Sequence, residues 1–185
     1  MSGPAIRAGA REKAARVTLL LLDVDGVLTD GRLVYDADGR EAKAFYVRDG
    51  HGIKLLQRAG IGVGIVTARR SAVVEIRARE LGIGLVCQGA SDKVAVWRAV
   101  CDERQLDPTA TAYVGDDIQD VPLLRKVGFA AAVADAEPCV LQTAHYVAGR
   151  PGGRGAVRDI ADFILHARGA WETVTAEYLA SKNQD

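Results

Sequence analysis

The chain has 185 residues, 49% of them apolar, and its 24 basic side chains balance 24 acidic ones. A chain of this length can form one domain with a sizeable core, since about 70% of its unfolded surface would be buried on folding. Zero net charge gives no general attraction to nucleic acid or to anionic membranes, so we expect neither as a partner. Apolar runs fall well short of the roughly 20 residues of a membrane helix, and the amino terminus lacks a signal-peptide pattern. The sequence therefore favours a cytoplasmic protein.

The first strong structural signal is an apolar run that ends in two carboxylates. Residues 1–16 mix basic side chains with Ala and Gly and are predicted to be a flexible or weakly helical leader. Residues 19–22 are all Leu, which predicts a strand buried on both faces of a parallel sheet. Asp23, Asp25 and Gly26 follow at once. Ligands of open α/β sheets bind at such strand ends, and two facing carboxylates repel unless a cation or a proton relieves them, which indicates Mg²⁺ or proton transfer.

The next segment, at about residues 33–47, reads as a small inserted β-hairpin with Gly39 in its turn. A hairpin alone is only marginally stable in water, so its apolar positions need a partner surface. Those positions are Leu33, Tyr35, Phe45 and Val47. We predict that another subunit covers them.

The remaining chain alternates between short apolar runs and helical patterns. Strands are predicted at 61–66, 85–87, 112–114, 129–133 and 146–147, and helices at 49–59, 72–81, 94–106, 122–127 and 156–168. This alternation predicts an α/β fold with a doubly wound, Rossmann-like parallel sheet and right-handed crossovers. A single domain is expected over residues 17–168, followed by a tail, 169–185, that is helical and then disordered.

Polar side chains recur where the predicted strands end. Thr67 follows the second buried strand, Lys93 follows the third, and Asp116, Asp117 and Asp120 follow the fourth. Taken singly, a strand-end Thr is more often a helix cap, and a loop Lys is more often solvated. All of these residues are expected at the same edge of the sheet, and this placement favours a phosphoryl-transfer site. Such a site needs carboxylates to bind a metal and polar groups to bind phosphate oxygens.

The pattern Asp-x-Asp-Gly-x-x-Thr-Asp-Gly at residues 23–31 resembles the first motif of the haloacid dehalogenase superfamily. Thr67, Lys93 and Gly115–Asp120 match its second, third and fourth motifs in order, so the resemblance covers residues 17 to about 168. It implies that Asp23 is the nucleophile and Asp25 the general acid and base. Mg²⁺ would be bound by Asp23, Asp116 and the backbone carbonyl of Asp25. Thr67 and Lys93 would hold the phosphate, while Asp117 and Asp120 would support the metal ligands.

Other activities of this superfamily fit the residues less well. A dehalogenase lacks the second acid because a halide takes no proton, and an ion pump has Thr in place of Asp25. Mutases of the superfamily carry a large helical cap, whereas only the hairpin is inserted here. The sequence therefore favours a capless hydrolase of phosphate monoesters.

Within the superfamily, three stretches resemble the 3-deoxy-D-manno-octulosonate 8-phosphate phosphatases: 23–31, 47–52 and 152–158. That family implies a small-molecule sugar-phosphate substrate, a role in lipopolysaccharide precursor synthesis, and a homotetramer whose subunits cover one another's sites. Substrate contacts are implied for Asp25, Tyr46, Val47, Arg48, Asp49, Gly50, Lys54, Arg69, Arg77 and Lys93, with Arg154 as a further candidate. Guanidinium groups suit a substrate that carries both a carboxylate and a phosphate.

Two alternatives stay open from the sequence. Phosphatases of nine-carbon, sialic-type acid 9-phosphates share nearly all of these motifs. A catalytically retired, oligomeric scaffold is the second alternative, although such a protein would be expected to have lost a carboxylate. Ala68 departs from the Thr-Gly-Arg usual in relatives.

Overall fold

The computed structural model describes residues 3–180. Its main sheet has seven strands in the order β1-β9-β8-β7-β2-β5-β6, and a separate two-stranded sheet pairs β3 with β4. The strands are β1 (Ala5–Ile6), β2 (Leu19–Leu22), β3 (Val34–Tyr35), β4 (Glu41–Ala42), β5 (Gly62–Thr67), β6 (Leu85–Gln88), β7 (Thr111–Gly115), β8 (Phe129–Ala132) and β9 (Tyr146–Val147). The helices are α1 (Ala10–Ala15), α2 (Val47–Arg58), α3 (Ala72–Leu81), α4 (Lys93–Arg104), α5 (Val121–Leu124), α6 (Pro138–Thr143), α7 (Ala156–Ala167) and α8 (Trp171–Leu179).

Strand β2 lies near the middle of the sheet, parallel to β5 on one side and to β7 on the other. All four of its leucines are buried, which explains why its sequence is apolar without alternation. Within the seven-stranded sheet of the described residues, β1 alone runs antiparallel to its neighbour. The predicted doubly wound parallel sheet with a small hairpin is confirmed.

Helices α2 and α7 pack tightly against each other beside the sheet. A side chain at Gly52 of α2 would lie 3.2 Å from both Ala161 Cβ and Arg158 Cα of α7. The glycine therefore lets the two helix backbones approach closely. This contact sets the position of the loop that precedes α7.

The leader holds more structure than its sequence indicated. Residues 5–6 form β1, which pairs with β9, and α1 buries Ala10 and Ala14. These two alanines are four residues apart, so they share one helix face, and that face packs near α7. Their small side chains give a weak hydrophobic pattern, which is why the sequence did not reveal the packing. Helix α6 was likewise missed. The predicted disorder at the end of the tail lies outside the described residues.

The hairpin is shorter than predicted, with two pairs of residues in register, Val34 with Ala42 and Tyr35 with Glu41. Val47 begins α2 instead of closing the hairpin, and Phe45 packs partly buried against the core of its own chain. The apolar side chains that the hairpin itself exposes are Leu33, Val34 and Tyr35, each about half exposed. The predicted apolar surface is therefore correct for Leu33 and Tyr35 but wrong for Phe45.

Two further sequence features can be checked in the described part of the chain. Cys87, Cys101 and Cys139 are all free thiols. No helix within residues 3–180 is both long and apolar enough to cross a membrane.

Candidate active site

The site lies at the carboxyl edge of the sheet, where β2, β5 and β7 end side by side. Register pairs Leu22 with Ile65 and with Val114, so Asp23, Thr67 and Asp116 come from adjacent strand ends. Asp23 and Thr67 are buried, each 3% exposed. Lys93 joins these three residues from the start of α4, so the structure brings together four of the five groups that carry the superfamily resemblance.

The ammonium group of Lys93 holds this edge together. Its Nζ donates hydrogen bonds to Asp23 Oδ2 at 2.5 Å, Asp120 Oδ1 at 2.6 Å and Tyr113 Oη at 2.9 Å. These three bonds use all three donors of the ammonium group. Although burial opposes its charge, Asp23 and Asp120 raise the pKa of Lys93. The lysine therefore stays charged inside the protein, 5% exposed.

Asp120 has no acceptor capacity left for a metal. Its Oδ1 accepts from Lys93 and from Tyr113 Oη, and its Oδ2 accepts from the backbone N–H groups of Asp116 and Asp117 at 3.0 and 3.3 Å. A carboxylate offers about four acceptor positions, and these four bonds fill them. Asp120 therefore positions Lys93 and the turn that carries Asp116. Asp117 caps the same turn, with its side chain accepting from Ile118 N.

Asp116 is the carboxylate that most clearly lacks a partner. Its Oδ1 is buried and has no hydrogen-bond partner within residues 3–180. Burial and the charges of Asp23 and Asp120 raise the pKa of Asp116 to about 8. Burial also raises the pKa of Asp23, while Lys93 opposes that shift. The edge thus carries more negative charge than its one ammonium can balance.

These carboxylates fit a divalent cation. One oxygen from each of Asp23, Asp116 and Asp120 lies within 4.8 Å of the others, and oxygen ligands are those that Mg²⁺ prefers. A Cβ on Gly26 would lie 2.0 Å from Asp116 Oδ2, so glycine at this position leaves room for the carboxylate. Since Asp120 is saturated, Asp23 and Asp116 are the side chains available as metal ligands. The backbone carbonyl of Asp25 remains the third ligand that the sequence resemblance implies.

Asp25 lies outside this cluster, in a second group of charges built with the hairpin. Lys43 Nζ donates to Asp25 Oδ1, and Arg69 Nε lies 3.5 Å from Asp25 Oδ2. Glu41 joins the two cations, because its Oε1 lies 2.9 Å from Arg69 Nη2 and 3.4 Å from Lys43 Nζ. We call Asp25, Lys43, Glu41 and Arg69 the hairpin charge cluster.

Sequence reasoning missed Lys43, Glu41 and Tyr113. Glu41 and Lys43 are separated by one residue, so in an extended chain they point to the same side, away from Ala42 and Ala44. This alternation of charged residues and alanines could have predicted that Glu41 and Lys43 share one face of the strand. Tyr113 was taken only as part of a buried strand, although a buried phenol normally needs a hydrogen-bond partner.

Several implied substrate contacts are placed elsewhere by the structure. Asp49 is 1% exposed, and its carboxylate accepts from Gly155 N at 3.2 Å and Arg158 N at 2.8 Å, so it caps the start of α7 and cannot contact substrate as it stands. Burial raises its pKa to about 6. Lys54 is exposed, with Nζ 3.3 Å from the position of a Cβ on Gly82, the residue that follows the carboxyl end of α3. The substrate contacts that the resemblance implies for Asp49 and Lys54 stay predictions.

The other candidates lie around the start of α2. Arg77 bonds Glu80 at 3.0 Å and lies over the Phe45 ring, and Gly50 is buried against it. Tyr46 precedes α2 and approaches Gly155. The exposed residues are Val47, Arg48 and Arg154, and Arg154 lies 3.8 Å from Asp30. Of the implied substrate contacts, Asp25 and Arg69 belong to the hairpin charge cluster, and Lys93 lies with the strand-end carboxylates.

The glycine-rich stretch before α7 supports the loop that follows Asp23. A Cβ on Gly152 would lie 1.7 Å from the Gly26 carbonyl oxygen, and Gly153 N donates to Val27 O at 3.0 Å. The two backbones therefore touch, which requires glycine at residue 152. Through Gly26, this loop also limits where Asp116 can lie.

Known proteins are similar to this chain in both sequence and fold. Residues 83–157 match the family model of haloacid dehalogenase-like hydrolases. The 3-deoxy-D-manno-octulosonate 8-phosphate phosphatase of Yersinia pestis is 46% identical over 164 residues, which cover 89% of this chain and 88% of that protein.

Two solved structures of similar proteins contain bound metal ions, and one of them also contains phosphate and a sugar acid. The corresponding phosphatase of Moraxella catarrhalis, in complex with magnesium, phosphate and KDO, is 36% identical with a TM-score of 0.89 over 91% of this chain and 97% of that one. A cobalt-bound phosphatase from Haemophilus influenzae is 39% identical with a TM-score of 0.83, covering 87% and 94%. Sequence, fold and the strand-end carboxylates agree, and the chain belongs to the haloacid dehalogenase superfamily, within its 3-deoxy-D-manno-octulosonate 8-phosphate phosphatase-like hydrolases of phosphoric monoesters.

Proposed function

We propose that this chain hydrolyses 3-deoxy-D-manno-octulosonate 8-phosphate to the free sugar acid and phosphate, with Mg²⁺, as a step in lipopolysaccharide precursor synthesis. The observation that carries the proposal is the identity of 46% with a phosphatase of this name across nearly the whole of both chains. The charge imbalance at the strand ends supports the metal, and magnesium accompanies phosphate and KDO in the Moraxella catarrhalis relative. A generic phosphatase assignment would not account for that combination.

In the first half of the proposed reaction, a carboxylate oxygen of Asp23 attacks phosphorus in line with the ester oxygen. The phosphorus–ester bond breaks as the bond to Asp23 forms, which gives an aspartyl-phosphate. Asp25 donates its proton to the departing sugar oxygen. The hydrogen bonds from Val24 N at 2.7 Å and from Lys93 fix the Asp23 carboxylate for this attack.

In the second half, water attacks the phosphorus of the aspartyl-phosphate and its bond to Asp23 breaks. Asp25, now a carboxylate, takes a proton from the water and returns to its starting state. Thr67 would support both halves by binding a phosphate oxygen through its hydroxyl, because it is buried at the end of β5, the strand beside the one that carries Asp23. Lys93 supplies positive charge at the same edge.

Magnesium, when bound, would neutralise charge on the phosphate and hold it in line with Asp23. Asp23, Asp116 and the Asp25 carbonyl would hold it. The buried, unpartnered Oδ1 of Asp116 supports this assignment. Asp117 and Asp120 would keep that carboxylate in place.

The substrate is tested by comparing two sugar-acid phosphates in Mg²⁺ buffer. We expect kcat/KM for 3-deoxy-D-manno-octulosonate 8-phosphate to exceed that for a sialic-type acid 9-phosphate by about 100-fold or more. The reverse order would select the nine-carbon alternative. No phosphate release from either compound or from an aryl phosphate would select the retired scaffold.

We further propose that the chain assembles as a homotetramer through the hairpin. Leu33, Val34 and Tyr35 are apolar side chains about half exposed on a short, two-stranded element, and exposed apolar surface of this kind is usually covered. Residues 3–180 form no large cap over the strand ends, so a neighbouring subunit would shelter the reaction from bulk water. Arg48 and Arg154 would then be available to a neighbour's substrate.

Light scattering and kinetics on Val34→Asp test the assembly. The matched control is Ile76→Asp, because both side chains are 53% exposed and Ile76 lies on α3, away from the hairpin. We expect the wild type and the control to be tetramers and Val34→Asp to be smaller and slower on sugar phosphate. A fully active wild-type monomer would disprove the proposal.

A further inference from the structure

The hairpin charge cluster contains a lysine that the reaction scheme above does not use. The Lys43 side chain is 1% exposed, although it directly follows a hairpin whose apolar residues lie in solvent. Burying an ammonium group costs several kcal/mol unless it is paired and hydrogen-bonded. The chain therefore keeps a costly charge beside Asp25, and that placement needs an explanation.

The contacts of Lys43 lead to the acid–base residue and to the loop after β5. Its Nζ donates to Asp25 Oδ1 and lies 3.4 Å from Glu41 Oε1. Glu41 is itself held by Ser71 Oγ and by Arg69 Nη2 at 2.9 Å. Hydrogen bonds from Ser71 and Arg69, together with the charge of Lys43, lower the pKa of Glu41. Lys43 is thus fixed between two carboxylates, one of which is anchored independently of it.

The two oxygens of Asp25 are therefore in different surroundings. Oδ1 accepts from Lys43, whose ammonium group has donors and no acceptor. Oδ2 lies 3.5 Å from Arg69 Nε, and that nitrogen has no hydrogen-bond partner within residues 3–180. A proton on Oδ1 would point at the ammonium group, whereas a proton on Oδ2 would not. Oδ2 is consequently the oxygen that is free to exchange a proton with a leaving group.

We propose that Lys43 is a positioning residue that holds Asp25 Oδ1 and so presents Oδ2 to the leaving group. This inference rests on the proposed acid–base role of Asp25. As the phosphorus–ester bond breaks, the proton on Oδ2 passes to the ester oxygen, and the new carboxylate lies between Lys43 and Arg69. In the second half, a proton from the attacking water returns to Oδ2. Lys43 acts through Asp25 and touches neither the phosphorus nor the ester oxygen.

A purely structural role for Lys43 would give a different result. If the lysine only fastened the hairpin to the domain, its loss would slow all substrates alike. If it orients Asp25, its loss matters only where the leaving group needs a proton. Alkoxides of sugar phosphates need one, whereas 2,4-dinitrophenolate departs without one.

The test compares Lys43→Met with the wild type on sugar phosphate and on 2,4-dinitrophenyl phosphate. We expect kcat on the sugar phosphate to fall by about 30- to 100-fold and that on the aryl ester by about threefold or less. The matched control is Lys126→Met, which removes an exposed lysine between α5 and β8 and should leave both rates unchanged. Equal loss on both substrates, or no loss, would overturn the proposal.

A double-mutant cycle separates this inference from the proposed function. In an Asp25→Asn background, Lys43→Met should cause no further loss on the sugar phosphate, because the group it orients is already inactive. If Asp25→Asn itself slowed both substrates equally, the acid–base assignment would fail first. Should Lys43→Met not fold, Lys43→Arg keeps a cation and should show the same preference for the aryl ester to a smaller degree. Equal slowing by Lys43→Arg would then refute the positioning role.

Discussion

The two charge clusters at the carboxyl edge of the sheet differ in burial and in charge balance. The cluster around Lys93 is buried, comes from strand ends and one helix start, and has more carboxylates than cations. The hairpin charge cluster pairs two carboxylates with two cations, and its Arg69 side chain is 41% exposed. The first arrangement suits a metal and a phosphate, because its imbalance is relieved when a proton or a metal cation binds. The second suits a sugar-acid leaving group, because its charges already balance and its Arg69 side chain is accessible from solvent.

Because of this difference, we expect the Lys93 cluster to carry out the phosphoryl transfer and the hairpin charge cluster to determine which substrates react. Changes in the Lys93 cluster should affect every substrate and the metal. The effect of a substitution in the hairpin charge cluster on the rate should depend on the leaving group of the substrate.

The largest effect is expected for Asp23→Asn. An amide is a poor nucleophile and a poorer metal ligand, so we expect kcat to fall by about 10⁴-fold or more on both alkyl and aryl phosphates. The fold should persist, because the two side chains have nearly the same shape. Steady-state kinetics with a thermal unfolding curve measures both. Substantial activity in this variant would refute the nucleophile assignment.

A large but selective effect is expected for Asp25→Asn. Loss of the acid should lower kcat on the sugar phosphate by about 10²- to 10⁴-fold, whereas an activated aryl ester should be slowed much less. A series of phosphate esters with leaving groups of increasing acidity measures the dependence. If the slope matched that of the wild type, Asp25 would not be the acid and the division between the two clusters would fail.

An intermediate effect concerns metal binding and pH. Because burial, Asp23 and Asp120 raise the pKa of Asp116 to about 8, the metal-free site holds a proton below that pH and must release it when Mg²⁺ binds. We expect the Mg²⁺ affinity to fall roughly 25-fold between pH 8.5 and pH 6.5, as one competing proton requires. Titration calorimetry in two buffers of different ionisation enthalpy counts the protons released. Affinity independent of pH would contradict this reading of the site.

The smallest effect is expected for Asp49→Ala, and on stability alone. Gly155 N and Arg158 N would lose their acceptor, which should lower the free energy of unfolding by about 1–3 kcal/mol. The folded state binds the Asp49 proton more tightly than the unfolded chain, with pKa values of about 6 against 3.8. Wild-type stability from this group is therefore present at low pH and lost as the pH rises through about 6.

Denaturant unfolding of Asp49→Ala at pH 5 and pH 7.5 checks both parts of this prediction. The deficit relative to wild type should be larger at pH 5 by about 1 kcal/mol. Mg²⁺ affinity should not change. A loss of substrate affinity without a loss of stability would return Asp49 to the substrate contacts that its sequence motif implied.

The amino-acid sequence was enough to predict the strands of the sheet and the polar residues at its carboxyl edge. Leu19–Leu22 and the strand 111–115 are short and apolar, and each is followed directly by a carboxylate of the site, whereas the apolar strand 62–67 ends in Thr67 itself. Parallel strands share one edge, so residues distant in sequence could be placed together without coordinates. Asp23, Thr67, Lys93 and Asp116 were found in this way because local sequence order carries the information.

Tertiary structure alone decided the partners of each group. Asp49 caps α7 through residues more than 100 positions away, and Phe45 turns into the core instead of remaining on the hairpin. Lys43 reaches Asp25 only because the hairpin folds back over the strand ends. Side-chain burial and pairing depend on contacts between distant segments, and no local pattern encodes the angle at which two segments meet. The sequence therefore located the chemistry, and the packing of the hairpin and α7 determined which charges surround it.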